Sequence, residues 1–256
     1  MLSILSISQK MKFSRLKTTA SNGFSLTELL VALAIIAVLA AIIIPAVGNV
    51  SRTANSTKCL SNLHQIGTAI TLYSQENNGY FPYGIKQKGV IRWSHEIQNY
   101  LASTTGKKTP TEVFVCPSES TELLEQSGNG DYYRNTNYIA NPALLTDDRD
   151  PQGTGSSVSR ISYFNVLRPA EVILVADGTV NNNGGSEWGF FSQTGITRSS
   201  ETYADEIVRD ETEADAGSGR RLSWRHDGHV QAVFVDGHVD GFSVGELKYK
   251  NFHYNY

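Results

Sequence analysis

The hydrophobic pattern of this 256-residue chain changes character along its length. From Leu29 to Val47, all 19 residues are Leu, Val, Ala or Ile apart from one proline, so no helical face carries a polar position. As a helix the run would reach about 28 Å at 1.5 Å per residue, close to a hydrocarbon core of about 30 Å. Beyond Val50 the pattern becomes amphipathic, with Leu60, Leu63, Ile66, Ile70 and Tyr73 at three- and four-residue steps, the spacing of one buried stripe. Asn77-Asn78-Gly79 supplies a helix stop and Pro82 bars resumption. The spacing predicts one helix over residues 24–78, roughly 80 Å long, with its membrane part at about 29–47.

After the helix the period shortens. Trp93 to Leu101 reads as a short helix, while Glu112 to Cys116, Asn137 to Ala140 and Val172 to Ala176 read as strands, the last ended by Asp177-Gly178. Thr146 to Ser159 and Asn181 to Ser186 have loop composition. The tail repeats Asp-Gly-His-Val at 227–230 and 236–239, and Asp-Gly is a strong two-residue hairpin signal. Two such turns predict a meander of Leu222–His226, His229–Val235 and His238–Phe242. Pairing His226 with His229 and Val235 with His238 directs Val230, Ala232, Phe234 and Val239 to the core, and Trp224, His226, Gln231 and Asp240 to the other face. The fold class expected is α+β: a long N-terminal helix on a small antiparallel sheet with irregular loops, residues 79–256 forming one globular domain.

Charge orients the apolar run. Lys10, Lys12, Arg15 and Lys17 precede it, and no acidic residue comes before Glu28, so the N-terminal arm is expected on the cytoplasmic side and everything after Val50 outside. A secretory signal peptide has a shorter apolar region with its small-residue cleavage site after it; here Gly23 lies before the run. A carboxylate where a membrane segment begins is costly, which marks Glu28 as functional. The chain holds 22 basic and 25 acidic residues, and removal of the four leader cations takes the formal net charge from −3 to −7. An acidic mature domain is a poor electrostatic partner for nucleic acid, and none is expected.

Gly23-Phe24-Ser25-Leu26-Thr27-Glu28 followed by the apolar run resembles the class III signal of type IV prepilins and the pseudopilins of type II secretion systems. The resemblance implies that residues 1–23 are a leader and that a prepilin peptidase cuts after Gly23 and N-methylates Phe24. It also implies that Glu28, the fifth mature residue, pairs with the α-ammonium of a neighbouring subunit's first residue, and that Pro45 is a site of helix kinking or melting. The stretches Cys59 to Gly67 and Gly79 to Pro82 are similar to a pilin-like subfamily abundant in planctomycete and verrucomicrobial bacteria. His226, nine residues and then Asp236-Gly237 match the C-terminal motif of that subfamily, although His229 and Gln231 stand where typical members have Gly and Asn.

Two cysteines in an exported domain are candidates for one disulfide, and the subfamily's cysteines at both places favour a Cys59–Cys116 bridge; two buried thiols remain the alternative. Neither cysteine has a close partner at zinc spacing. Glu201 to Asp215 carries seven acidic residues against one Arg. Some major pseudopilins hold calcium in a C-terminal loop, but the spacing here is not that of an EF-hand, and a solvated acidic loop is the preferred reading. A metal shared by His226 and Asp236 is disfavoured, because a seven-residue strand separates their turns by about 20 Å. Hydrolase elbows, phosphate loops, zincin and dinucleotide motifs are absent, so no enzyme is expected, although carboxylates such as Asp177 and Asp236 could meet in the fold. The function expected is that of a pseudopilin-type subunit of the bacterial inner membrane, single-pass, assembled with other pilin-like subunits into a filament supporting protein export. The alternatives are a subunit of a surface type IV pilus and a membrane-anchored module for glycans or other ligands.

Overall fold

A computed structural model of the chain describes residues 25–86, 91–101, 111–118, 136–146, 159–178 and 222–255. The chain divides into two compact units, Met1–Gly48 and Asn49–Tyr256, and helix α1 (Leu26–Glu76) runs through the boundary. In the first unit Leu29, Leu33, Ile36, Leu39 and Ile43 are each more than half exposed, and the most apolar window of the helix has no residue buried within the chain. A helix that is apolar all round and unpacked is at home in lipid or against other apolar helices. The helical backbone continues through Pro45, which has no N–H to donate to the ladder.

In the second unit α1 becomes the long side of a packed domain. Its buried stripe is Cys59, Leu63, Ile66, Ile70 and Tyr73, joined by Ala69; Leu60, expected in the stripe, is only half-buried, and Cys59 takes the place beside the core. The helix ends where Asn78 turns into the left-handed region (φ 55°) and the Gly79 N–H closes back on the Ser74 carbonyl at 2.8 Å.

Four antiparallel strands follow: β3 (Tyr138–Ala140), β4 (Ile173–Asp177), β5 (His229–Phe234) and β6 (Val239–Ser243), in spatial order β3-β4-β5-β6. A two-stranded ribbon, β1 (Ile85–Lys86) with β2 (Ile91–Arg92), leads into the short helix Trp93–Glu96 and a 3-10 turn Gln98–Tyr100. Strand β4 is buried on both faces, so it is apolar until its last residue instead of alternating. Leu174, Val175, Val233 and Val235 join the core that contains the α1 stripe. Ile139, Ile173, Ala176, Val230, Ala232 and Phe234 form a second core under Leu222, Leu247 and Phe252. Asn141 pins this C-terminal cover, its amide donating to the Ile173 and Phe252 carbonyls at 2.7 and 3.0 Å.

Three expectations are corrected. Glu112 to Cys116 is not a strand: Thr111–Phe114 is a 3-10 turn, because the backbone there bonds to side chains in place of a ladder. The Asn62 amide donates to the Val115 carbonyl at 3.0 Å, and the Cys116 N–H donates to Asn137 Oδ1 at 2.9 Å. Leu222 to His226 is not a continuous strand either, since Leu222 bridges Gly178 while His226 bridges His229. Finally, the two Asp-Gly turns differ. Asp227 and Gly228 both take positive φ (52° and 81°), giving the two-residue turn expected, whereas at the second only Gly237 does (φ 93°). There the Gly237 N–H bonds the Phe234 carbonyl at 3.0 Å and the Phe234 N–H bonds the His238 carbonyl at 2.9 Å, a three-residue loop closed by a bulge. The extra residue slips β6 by one, pairing Val233 with Val239. Val239 therefore packs with the α1-side core, away from Val230, Ala232 and Phe234, and Gln231 is buried facing α1, its amide 2.6 Å from Ser56 Oγ. Thr146 and Ser159 are the only described residues of the first expected loop; residues 147–158, 181–186 and 201–215 lie outside the described residues.

Gly67 sets how closely β5 lies on α1, since a Cβ there would sit 2.5 Å from Val233 Cγ2. Overpacking of this kind costs about 1–3 kcal/mol, more than the ~1 kcal/mol that Ala gains over Gly in a helix. Gly67→Ala is therefore expected to lower the urea midpoint, and Val233→Ala in the same chain to cost less than the two changes summed, the coupling read from a double-mutant cycle.

Candidate functional site

The first site is the start of α1. Ser25-Leu26-Thr27-Glu28 has the spacing of a capping box: Glu28 Oε2 accepts the Ser25 N–H at 3.0 Å and Ser25 Oγ accepts the Thr27 N–H at 3.3 Å. The carboxylate thus sits at the positive end of its own helix, which favours a negative charge. The Ser-x-x-Glu spacing carries this cap in the sequence. Gly23 and Phe24 lie outside the described residues.

The second site is buried in the second unit, where four separate parts of the chain converge. Asp177 was expected in the turn ending a strand; it is instead the last residue of β4 and has no solvent exposure. Its Oδ2 accepts the Gln231 N–H of β5 at 3.0 Å and lies 3.2 Å from His226 Nε2. His226, held by the Asp227-Gly228 turn, places the same nitrogen 3.5 Å from Cys116 Sγ, and its Nδ1 lies 3.5 Å from Ser118 Oγ. Cys116 is joined to Cys59 of α1 in a disulfide with Cα atoms 5.2 Å apart. In the chain-entropy picture, closing a loop with a separation of 57 residues contributes about 4 kcal/mol. Burial, reinforced by the Asp177 charge, raises the Tyr138 hydroxyl above the ordinary phenol range.

The two ends of the His-x9-Asp-Gly motif do not meet. His226 faces Asp177 and the disulfide, whereas Asp236 is exposed in the second hairpin turn, its Oδ1 accepting the His238 N–H at 3.1 Å and lying 2.6 Å from His238 Nδ1. Asp177 and Asp236 do not meet as a carboxylate pair either; each has its own histidine. Asp177 could not be assigned this place from spacing, because its partners lie 49 and more positions away and only the β4–β5 pairing brings them in.

Against known families, residues 19–44 match the prokaryotic N-terminal methylation motif. No curated protein and no solved structure matches the chain. The fold, a long N-terminal helix on a four-stranded antiparallel sheet, is a pilin-like α+β fold, and the motif it carries is similar to the methylation signal of type IV pilins and pseudopilins. The motif implies processing by a prepilin peptidase, and with the apolar N-terminal helix it fits a membrane-anchored protein. Pilin-like proteins are typically non-enzymatic structural subunits.

Removing the hydrogen-bond partner of a buried carboxylate leaves it uncompensated, at a cost of about 3 kcal/mol, whereas an exposed pair contributes about 1 kcal/mol or less. His226→Ala is expected to destabilise the second unit by about 3 kcal/mol and Asp236→Ala by less than about 1 kcal/mol, as measured by chemical denaturation under oxidising conditions. Equal losses would mean that the two ends of the motif act as one site.

Proposed function

We propose that the chain is a pseudopilin-type structural subunit: residues 1–23 are removed after Gly23, Phe24 is methylated, and the mature protein is assembled through α1 into a periplasmic filament that supports protein export. The observation that carries this reading is the pairing of the methylation motif with an apolar helical segment whose side chains are exposed, with none buried by the described residues. Lipid accepts that surface before assembly, and the equivalent helices of neighbouring subunits accept it afterwards. On this reading residues 79–256 face the periplasm, and the Cys59–Cys116 bridge suits an oxidising compartment.

Glu28 has two roles in sequence. In the isolated subunit it caps its own helix; in the filament its charge pairs with the methylated α-ammonium of a neighbouring Phe24, where low dielectric penalises either charge alone. Gln preserves a capping box but carries no charge, so the two roles separate experimentally.

Intact mass of the mature protein is expected to show loss of Met1 to Gly23 and one added methyl on Phe24. Glu28→Ala, Glu28→Val and Glu28→Gln should all be cut, and all three should fail to enter filaments that the wild type joins. Assembly of the Gln variant would show that capping, not charge pairing, is what the filament needs, and an uncut chain in cells that process other prepilins would sink the proposal. Recovery of the protein in long sheared surface fibres would favour a surface pilus.

A further inference from the structure

The buried cluster against α1 has the dimensions of a metal site. Cys59 Sγ, Cys116 Sγ and His226 Nε2 lie within 4.8 Å of one another, and all three residues are buried. His226 Nε2 is directed at two acceptors at once, Cys116 Sγ at 3.5 Å and Asp177 Oδ2 at 3.2 Å. In tetrahedral zinc sites, with Zn–N and Zn–O about 2.0–2.2 Å and Zn–S about 2.3 Å, nitrogen and oxygen ligands are about 3.3 Å apart and nitrogen and sulfur about 3.6 Å. The cluster already has both of these edges. The two sulfurs are held too close by their own bond, and Asp177 lies outside the group of three, joined to it through His226; once the bond is broken, side-chain rotation on Cα atoms 5.2 Å apart lets the sulfurs separate.

Asp177 supplies an independent observation. Among the described residues its Oδ1 has no hydrogen-bond partner, although the residue is wholly buried. An unsatisfied carboxylate oxygen away from water is costly, and a cation beside it removes that cost.

We propose that the reduced chain binds one thiophilic divalent cation of the zinc class through Cys59, Cys116 and His226, with Asp177 in the fourth position, and that oxidation to the disulfide expels it. A dithiol reductant, itself converted to a disulfide, delivers two electrons and two protons to the Cys59–Cys116 bond and leaves two thiols. On metal binding both thiols release their protons to solvent. The imidazole binds as the neutral ring, its proton on Nδ1 toward Ser118 Oγ. In the reverse direction a disulfide oxidant takes two electrons from the two thiolates, the sulfur–sulfur bond forms and the cation leaves. The ion and the disulfide are thus alternative ties between α1 and the 111–118 segment.

The test is Co2+ titration of the full chain in detergent, reduced anaerobically with a phosphine so that no added thiol competes for the metal. One Co2+ per chain is expected, with thiolate-to-cobalt charge-transfer absorption and the strong visible bands of four-coordinate cobalt, lost on adding Zn2+ or on reoxidation. His226→Ala should weaken Co2+ binding at least tenfold, and the Cys59→Ser/Cys116→Ser chain should lose the charge-transfer band. Independently of any variant, Zn2+ should raise the melting temperature of the reduced wild type and leave that of the oxidised protein unchanged. Absence of charge transfer in the reduced wild type, unchanged affinity in a folded His226→Ala chain, or a Zn2+ effect equal in both redox forms would each overturn the proposal.

Discussion

A carboxylate without solvent exposure governs the second unit. An isolated charge in such a place would cost several kcal/mol, so Asp177 has to be met by donors. The two it finds come from different directions: the Gln231 N–H from the adjacent strand and His226 from the first hairpin turn. His226 in turn lies against the disulfide that ties the 111–118 segment to α1. Sheet and hairpin therefore share one electrostatic requirement, and a shift of either would take a donor from Asp177, while the disulfide packs the helix beside them.

The two Asp-Gly turns flanking β5 show how little local sequence is needed to change a sheet. At Asp227-Gly228 both residues accept positive φ, and the strands close directly opposite one another. At Asp236-Gly237 only the glycine does, and one more residue enters the loop. That residue exchanges the faces of β6, because side chains alternate with a period of two. What favours this outcome is visible in the packing: Val239 joins Val233 and the α1-side core, and His238 stacks on Phe234 with ring centres 4.2 Å apart.

Helix α1 is built for two environments. Its first part has apolar side chains on every face with nothing in the chain to bury them, and its later part narrows to one stripe that the sheet covers. The transition needs no break in the helix, since backbone hydrogen bonds are satisfied within the segment in either surrounding. Glu28 is tolerated at the head of the apolar part partly because the Ser25 N–H already engages it.

The long helix, its stop at Asn77-Asn78-Gly79, the β3 and β4 regions and the α+β class were legible in the sequence, because periodicity and turn chemistry act over a few residues. The short-range geometry of Asp227-Gly228 was legible for the same reason. The register after Asp236, the 3-10 turn at Thr111–Phe114 and the burial of β4 on both faces were not, since each is selected by contacts with distant segments. The same division holds at the site. His226 could be singled out by its motif, but its partner Asp177 lies on another strand, and the motif's own Asp236 points to His238. Sequence determines which residues can carry charge, turn or bury themselves; only tertiary structure decides which charges share a site, because low dielectric and close packing act between segments that the chain keeps far apart.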